Sequence, residues 1–371
     1  MAKYYVLDKR FVAGEPEPKD LEPVEPLSGP CGTRRRWLLT ALLVAAALVV
    51  AEVAYAAFNV LAAEDQFRTS SLLGNLYDLV RPRSVATPVD TAVFASLQQL
   101  ALVNAASYCV PTPGISNPFE CESVCGFLPT FELVTTFTAD GLSTSCSGYI
   151  ALDHDATAPR ILVVFRGSHS IADALADIDL VQTSYVAAAT ASDVGGVGCA
   201  GCVVHEGFYK SYMEASPVVL ETVANLTAAY PDYTLVSTGH SLGGAVAVLF
   251  GVDAHGRGWA PQVVTFGEPR VGNGAFADYV DATFAGGVLQ RVTHLHDPVP
   301  RVPVGLGYRH HGGELYITKG PLEPGASDIV VCDGQESAAC SAGEGVIRVL
   351  EVLRAHLEYF VTLGFCSALL A

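Results

Sequence analysis

A serine hydroxyl attacks a carbonyl only when a base can take its proton, an acid orients that base and nearby donors hold the developing oxyanion. The stretch Tyr233 to Gly251, YTLVSTGHSLGGAVAVLFG, offers such a serine. Its first half is β-branched and aromatic and reads as a buried strand, whereas Ala245 to Phe250 is apolar and helix-favouring. Between them lies a G-x-S-x-G pattern centred on Ser241. A serine at so sharp a strand-to-helix turn crowds the backbone on both sides, and Gly239 and Gly243 leave it room. The N–H of Leu242, at the head of a helix with no internal acceptor, is placed to serve as an oxyanion donor. The histidines that follow are His255, His294, His296, His310, His311 and His356. His255 falls on the helix after Ser241 and points elsewhere. Asp297, in HDPVPR, follows a strand-like run, where a loop brings a carboxylate to the site. Spacing alone leaves His310 and His311 as competitors of His356 for the role of base.

These residues must be held by elements that the patterning supplies. Asp90 to Tyr108 has helical spacing at Val93, Leu97, Leu100 and Val103, with Asp90 as its cap. Strands are expected at Phe131 to Phe137 and Tyr149 to Leu152, separated by the Asp140-Gly141 turn signal, and at Ile161 to Phe165. The last, ILVVF, is unbroken and suits a strand buried on both faces of a mostly parallel sheet. Further strands are expected at Leu235 to Ser237, Val263 to Phe266 and Val288 to Val292. Helical stretches at Val218 to Tyr230 and Ala275 to Phe284 alternate with them. This alternation implies an α/β fold, a mostly parallel central sheet flanked by helices with its site at the strands' carboxyl ends. No internal repeat is visible.

The chain has 371 residues, half of them apolar. Its length accommodates one large domain, taken as 90–371, and a short extra region. Residues 1–36 mix Pro, Glu and Lys with few sizeable apolar side chains and read as a disordered cytoplasmic tail. Residues 37–63 begin with an uncharged run from Trp37 to Ala51 before Glu52, preceded by Arg34, Arg35 and Arg36. About 20 apolar residues cross a bilayer, and basic flanks stay on the cytoplasmic side. A transmembrane signal anchor with the catalytic domain lumenal or extracellular is therefore expected. The alternative is a signal peptide cut near Ala56, at Ala54-Tyr55-Ala56, followed by secretion; the long region before the apolar run argues for the anchor. Residues 64–89 read as a stalk. Residues 64–371 carry 14 Lys and Arg against 31 Asp and Glu, so the net charge of −17 resides there. That balance excludes nucleic acid as a partner and leaves neutral lipids and esters open.

Six motifs in order, FRGSHS, HEGF, GHSLGG, TFGEPRVG, HDPVPR and HLEYF, resemble the class 3 lipases, the fungal triacylglycerol lipase family. The resemblance covers about Asp90 to Cys366 and implies the α/β-hydrolase fold. It implies Ser241 as nucleophile, Asp297 as acid and His356, in H-x-x-Y, as base. His311 matches a family position without a catalytic role, and His310 is expected to be a surface neighbour. Ser168, in FRGSHS, corresponds to the second oxyanion donor beside Leu242; otherwise it is a loop serine capping a turn. Ser170 to Asp179 resembles the family's lid, with Ile171, Leu175 and Ile178 on one face of a short helix. Here the chain departs from the family: Ala174 stands where well-studied fungal members carry tryptophan. Asp173, Asp177 and Asp179 make the segment acidic, so strong interfacial activation is not expected.

Nine of the ten cysteines lie beyond the apolar run, as suits an oxidising compartment. Cys199 and Cys202, or Cys121 and Cys125, could begin metal sites, but neither has a second Cys/His pair at zinc-ribbon spacing. The resemblance implies the pairs Cys109 with Cys366, Cys121 with Cys125 and Cys332 with Cys340. Cys199 with Cys202 makes a further local bridge, and Cys146 is left over. Asn225-Leu226-Thr227 is a glycosylation sequon inside an expected helix. The expected activity is hydrolysis of carboxylic esters of neutral glycerolipids without metal or cofactor. The alternatives are a phospholipase, a feruloyl-type esterase and a non-catalytic lumenal scaffold.

Overall fold

The computed structural model describes residues 88–140, 145–168, 180–186, 199–320, 322–344 and 354–366. The chain divides into two compact units, Met1–Pro82 and Arg83–Ala371, and the described residues all belong to the second. The tail, the apolar segment 37–63, the stalk up to residue 87 and the lid residues Ile171, Ala174, Leu175 and Ile178 lie outside them, whereas Val89, expected in the stalk, is buried in the domain core. Among the described residues no helix is long and apolar enough to cross a membrane.

An eight-stranded sheet runs in the order β1 (Phe131–Asp140), β2 (Ser145–Asp153), β3 (Arg160–Phe165), β6 (Thr234–His240), β7 (Gln262–Phe266), β9 (Leu289–His294), β11 (Glu314–Ile317) and β12 (Ile329–Val331). The neighbours from β3 to β11 pair in parallel, and the outer pairs are antiparallel. Its two faces bury separate cores, and β3 shows why its sequence is unbroken. Leu162 and Val164 face the core that contains Leu97, Leu100 and Val103 of α1 (Thr91–Ser107). Ile161, Val163 and Phe165 face the other core, with Val246 and Phe250 of α3 (Leu242–Gly256). Side chains alternate across a strand, so only an apolar run satisfies both faces. Helix α3 is buried from Gly243 to Ala254 because it lies between the sheet and α2 (Glu206–Ala229). Helix α4 (Gly274–Thr283) precedes β9.

Asp90 caps α1 through a 2.7 Å bond from the Ala92 N–H. Helix α2 starts well before the expected Val218 and runs through Pro217. A proline there cannot donate to the carbonyl of Met213. The Ser216 hydroxyl donates to that carbonyl instead, at 3.1 Å, and Phe208, Tyr212, Ala215, Val219 and Val223 keep one face buried across the proline. The sequon lies in α2, with the Thr227 hydroxyl bonded to the Val223 carbonyl at 2.9 Å. A second, antiparallel sheet, β10 (Tyr308–Arg309), β8 (Gly272–Asn273), β5 (Val203–His205) and β4 (Gln182–Ser184), has strands of two or three residues. Such strands are too short to show a period, so patterning missed them.

Disulfides join Cys109 to Cys366, Cys121 to Cys125, Cys199 to Cys202 and Cys332 to Cys340, while Cys146 is free and buried. The first spans 257 residues and ties the end of α1 to the C-terminal segment. A chain-entropy argument assigns such a closure on the order of 5 kcal/mol.

Candidate active site

Ser241 stands between β6 and α3 with φ 58° and ψ −131°, a left-handed conformation rarely adopted by serine. Two close approaches make the turn sharp. A Cβ at Gly239 would overlap the Gly243 backbone, and one at Gly243 would overlap the Phe165 carbonyl. The turn is anchored by the Ser241 N–H, which donates to the Phe266 carbonyl at 2.9 Å. The serine side chain makes no capping bond to its own helix.

Asp297 follows β9 and is fully buried. Its Oδ1 accepts the Val299 N–H at 2.8 Å; its Oδ2 accepts from His356 Nδ1 at 2.9 Å and from the Tyr359 hydroxyl at 2.6 Å. Burial alone would raise this carboxyl, but the His356 ring and these hydrogen bonds carry it below the ordinary aspartate value. Asp297 is therefore an ionised acceptor, and His356 Nδ1 must hold the proton. His356, also fully buried, leaves Nε2 with no hydrogen bond among the described residues. The adjoining elements are close. A Cβ at Gly267, which follows β7 with φ 56°, would lie 2.9 Å from His356 Cε1 and 3.0 Å from Asp297 Oδ2. The ring of His240, the residue before Ser241, lies 4.5 Å from that of His356 between centroids.

The loop after β3 runs beside the turn. A Cβ at Gly167 would lie 2.8 Å from the His240 carbonyl oxygen and 3.1 Å from Ser241 Cβ. Half-buried Ser168 follows, and half-buried Leu242 opens α3, where first-turn N–H groups lack helical acceptors. Arg166, buried, holds the loop: its Nε donates to the Gly167 carbonyl at 3.2 Å and its Nη1 to the Val110 carbonyl.

The competing histidines lie elsewhere. His255 is on α3 against Phe284. His294 Nδ1 meets the Leu295 carbonyl at 2.7 Å, and half-exposed His296 lies near Glu344. His311 Nε2 lies 3.0 Å from Glu268 Oε1. His310, expected at the surface, is only 3% exposed. It is packed in because its Nδ1 lies 3.8 Å from the fully buried Glu268 and its N–H donates to Glu336 at 3.0 Å. Glu268, His310 and His311 gather three metal-type donor atoms within 4.8 Å. Arg291 and Arg270 act electrostatically on the same His310 ring, which disfavours a cation there. Arg270 pairs with Glu336 at 2.7 Å and Arg291 with Glu314 at 3.4 Å, and His311 Nε2 meets Glu268 at 3.0 Å.

Sequence reasoning assigned no part to Tyr108, Arg166, His240 or Tyr359. Tyr359 carried a signal, the H-x-x-Y spacing from His356. Tyr108 and His240 carried none, being 132 residues apart.

Residues 162–306 match the family described as Lipase (class 3). A secreted mono- and diacylglycerol lipase of Gibberella zeae is 37% identical over 346 residues, covering 77% of this chain and 84% of that protein. A secreted mono- and diacylglycerol lipase of Fusarium solani is 32% identical, covering 71% and 74%. Among solved structures, the Lip2 lipase of Yarrowia lipolytica superposes with a TM-score of 0.70 at 36% identity, over 76% of this chain and 99% of that one. A lipase from Rhizopus microsporus gives 0.64 at 33% identity, over 77% and 94%. With its mostly parallel sheet and sharp serine turn, the chain has the α/β-hydrolase fold and belongs to the class 3 lipase family.

Proposed function

We propose that this protein hydrolyses the carboxylic esters of neutral glycerolipids by acyl transfer to Ser241. The observation that carries the reading is the fully buried His356–Asp297 pair, with His356 Nε2 unbonded among the described residues, packed against the residue that precedes a strained serine. Ser241 Oγ attacks the ester carbonyl while His356 Nε2 takes its proton. The imidazolium then protonates the departing alcohol, leaving an acyl-enzyme. Water, deprotonated by His356, attacks that ester, and collapse of the second tetrahedral species frees the fatty acid and restores Ser241. Asp297 holds the ring in the tautomer that exposes Nε2 and stabilises it when charged. The N–H groups of Ser168 and Leu242 receive the oxyanion, and losing one such donor costs about 3 kcal/mol of transition-state stabilisation.

Neutral acylglycerols suit a chain whose net charge of −17 repels anionic surfaces, and relatives named mono- and diacylglycerol lipases favour them over phospholipids or feruloyl esters. By their resemblance to the family's lid, Ile171, Leu175 and Ile178 of residues 170–179 are expected to gate access to the site, with Ala174 limiting the gain at an interface. The segment 37–63 delivers the domain to an oxidising compartment, consistent with four disulfides. The relatives' names, secreted lipases, favour cleavage near Ala56 over retention as an anchor. N-terminal sequencing of the mature protein distinguishes the two. The activity is tested with a panel of tri-, di- and monoacylglycerols, phospholipids and aryl esters. Acylglycerol hydrolysis that disappears in Ser241→Ala, together with fluorophosphonate labelling of Ser241, is expected. A folded protein that never labels is instead a scaffold.

A further inference from the structure

His240 stands beside Ser241 in the chain and beside His356 in space, and both of its ring nitrogens are committed. Nε2 lies 2.9 Å from the His356 main-chain carbonyl, an atom that only accepts, so Nε2 carries the ring proton. Nδ1 therefore offers a lone pair, and the Tyr108 hydroxyl donates to it at 2.5 Å. The two imidazoles are tilted 31° with centroids 4.5 Å apart. Burial, and then the neighbouring His356, hold the His240 pKa down at about 3, so the ring stays neutral and keeps this tautomer across the working range. Burial raises the Tyr108 hydroxyl, which remains a donor. Tyr108 ends α1 next to Cys109, whose disulfide reaches the C-terminal segment that carries His356.

We propose that His240 is a positioning residue: the chain of bonds Tyr108 Oη–H to His240 Nδ1, and His240 Nε2–H to the His356 carbonyl, sets the height and tilt of the catalytic imidazole relative to Ser241. One side chain thereby ties the backbone of the base to the strand that ends in the nucleophile. With its Nδ1 lone pair taken up by the Tyr108 hydroxyl and its Nε2 proton by the His356 carbonyl, His240 has no nitrogen open to act as the base. The groups that face it are Tyr108, His356, Asp297 and, 5.9 Å away between centroids, Tyr359. The inference rests on the Ser241–His356–Asp297 reading above.

The test compares His240→Ala, His240→Gln and Tyr108→Phe with the full-length wild type on a soluble short-chain ester over a range of pH, with thermal unfolding as the check on folding. Misplacement by about 1 Å lowers turnover on the order of 10²-fold, so His240→Ala is expected to lower kcat to that extent with KM changed less than about 2-fold, and to move the acid limb of kcat/KM. His240→Gln retains an N–H that reaches the same carbonyl and should restore at least about 5-fold of the loss, the worth of one hydrogen bond. Tyr108→Phe frees the tautomer and should cost about 5-fold on the same grounds. A folded His240→Ala protein with kcat within about 3-fold of wild type and an unmoved acid limb overturns the proposal. Should His240→Ala fail to fold, His240→Gln and Tyr108→Phe decide: effects confined to KM overturn it. An active Ser241→Ala variant would sink the triad reading itself, a distinct outcome.

Discussion

A hydrogen-bonded, buried carboxylate–histidine pair lies on each side of Gly267, and in only one of the two is a ring nitrogen left without a hydrogen bond among the described residues. Asp297 meets His356 at 2.9 Å, and Glu268 meets His311 at 3.0 Å. All four residues are almost fully buried. Each carboxylate also receives a hydroxyl at 2.6 Å, from Tyr359 in the first pair and Thr265 in the second. The difference is which nitrogen faces the carboxylate. His356 uses Nδ1 and keeps Nε2 unbonded. His311 uses Nε2 toward Glu268 and Nδ1 toward the Gly312 carbonyl at 2.8 Å, so no nitrogen is left to take a proton from a nucleophile. Proximity of a histidine to a carboxylate is thus an insufficient criterion for a base. On the proposed mechanism the uncommitted nitrogen, together with its place beside the Ser241 turn, is what qualifies the Asp297–His356 pair. A free nitrogen alone does not, since both ring nitrogens of His310 and Nε2 of His294 are also unbonded among the described residues.

Disabling each pair in turn separates their roles by the largest effect. Asp297→Asn is expected to lower kcat by about 10⁴-fold while the fold survives, because the wrong tautomer is presented to Ser241. His356→Ala should cost at least as much. Glu268→Gln should instead lower stability by about 1–3 kcal/mol, the cost of disturbing a buried acceptor that serves His311 and Thr265, and leave kcat on a soluble ester within about 10-fold. Kinetics on the ester and denaturant unfolding of the same samples check both halves. A large kcat loss in a stably folded Glu268→Gln protein would erase the distinction.

The Ser241 turn, the Asp297 loop and four of the five parallel strands were legible because each has a local cause, whereas β11, four residues long, was not expected. A glycine pair flanks the serine, unbroken apolar runs mark strands with two buried faces, and D-x-V-P follows a strand. The choice of His356 over His310 and His311 was not legible from spacing, since both alternatives lie after a strand and near acids in the fold; only the motif resemblance favoured His356. Burial of His310 could not be read locally either. It depends on Glu268 and Glu336, which lie far from it in sequence and meet it only when β7 and the loop after β12 close around it. The same is true of the Tyr108–His240 bond, and of the second sheet, whose strands of two or three residues have no periodicity to detect.

The two hydroxyls distinguish the pairs by a smaller effect. Tyr359→Phe removes a bond to an ionised acceptor in the proposed triad, a class of bond contributing about 1.5–3 kcal/mol. Part of that is felt in the transition state, so kcat should fall about 10-fold, and the acid limb of the rate profile should move as Asp297 loses a stabilising donor. Thr265→Val removes the matching bond to Glu268, and its effect should appear in unfolding free energy with kcat unchanged. Paired pH–rate and urea-unfolding measurements separate the two. Equal kcat losses would mean that both carboxylates serve the same chemistry.

The smallest effect is on acid stability, and its sign follows from the neutral histidines on both sides of Gly267. Burial lowers the pKa of His240, to about 3, and lowers that of His310 as well. In the unfolded chain His240 returns to its ordinary value of 6.5. Between these values the unfolded state binds the extra proton. The stability held by the neutral ring is therefore complete above pH 6.5 and is lost as pH falls toward 3. Each such histidine contributes a slope of at most about 1.4 kcal/mol per pH unit. Thermal unfolding from pH 7 to 5, above the range in which most carboxylates titrate, should show a declining Tm in the wild type. His240→Gln, which cannot bind the proton, should decline less steeply even if its Tm at pH 7 is lower. An unchanged slope in that variant would mean that the ring is already protonated in the native state, which would also remove the tautomer on which the Tyr108–His240–His356 connection depends.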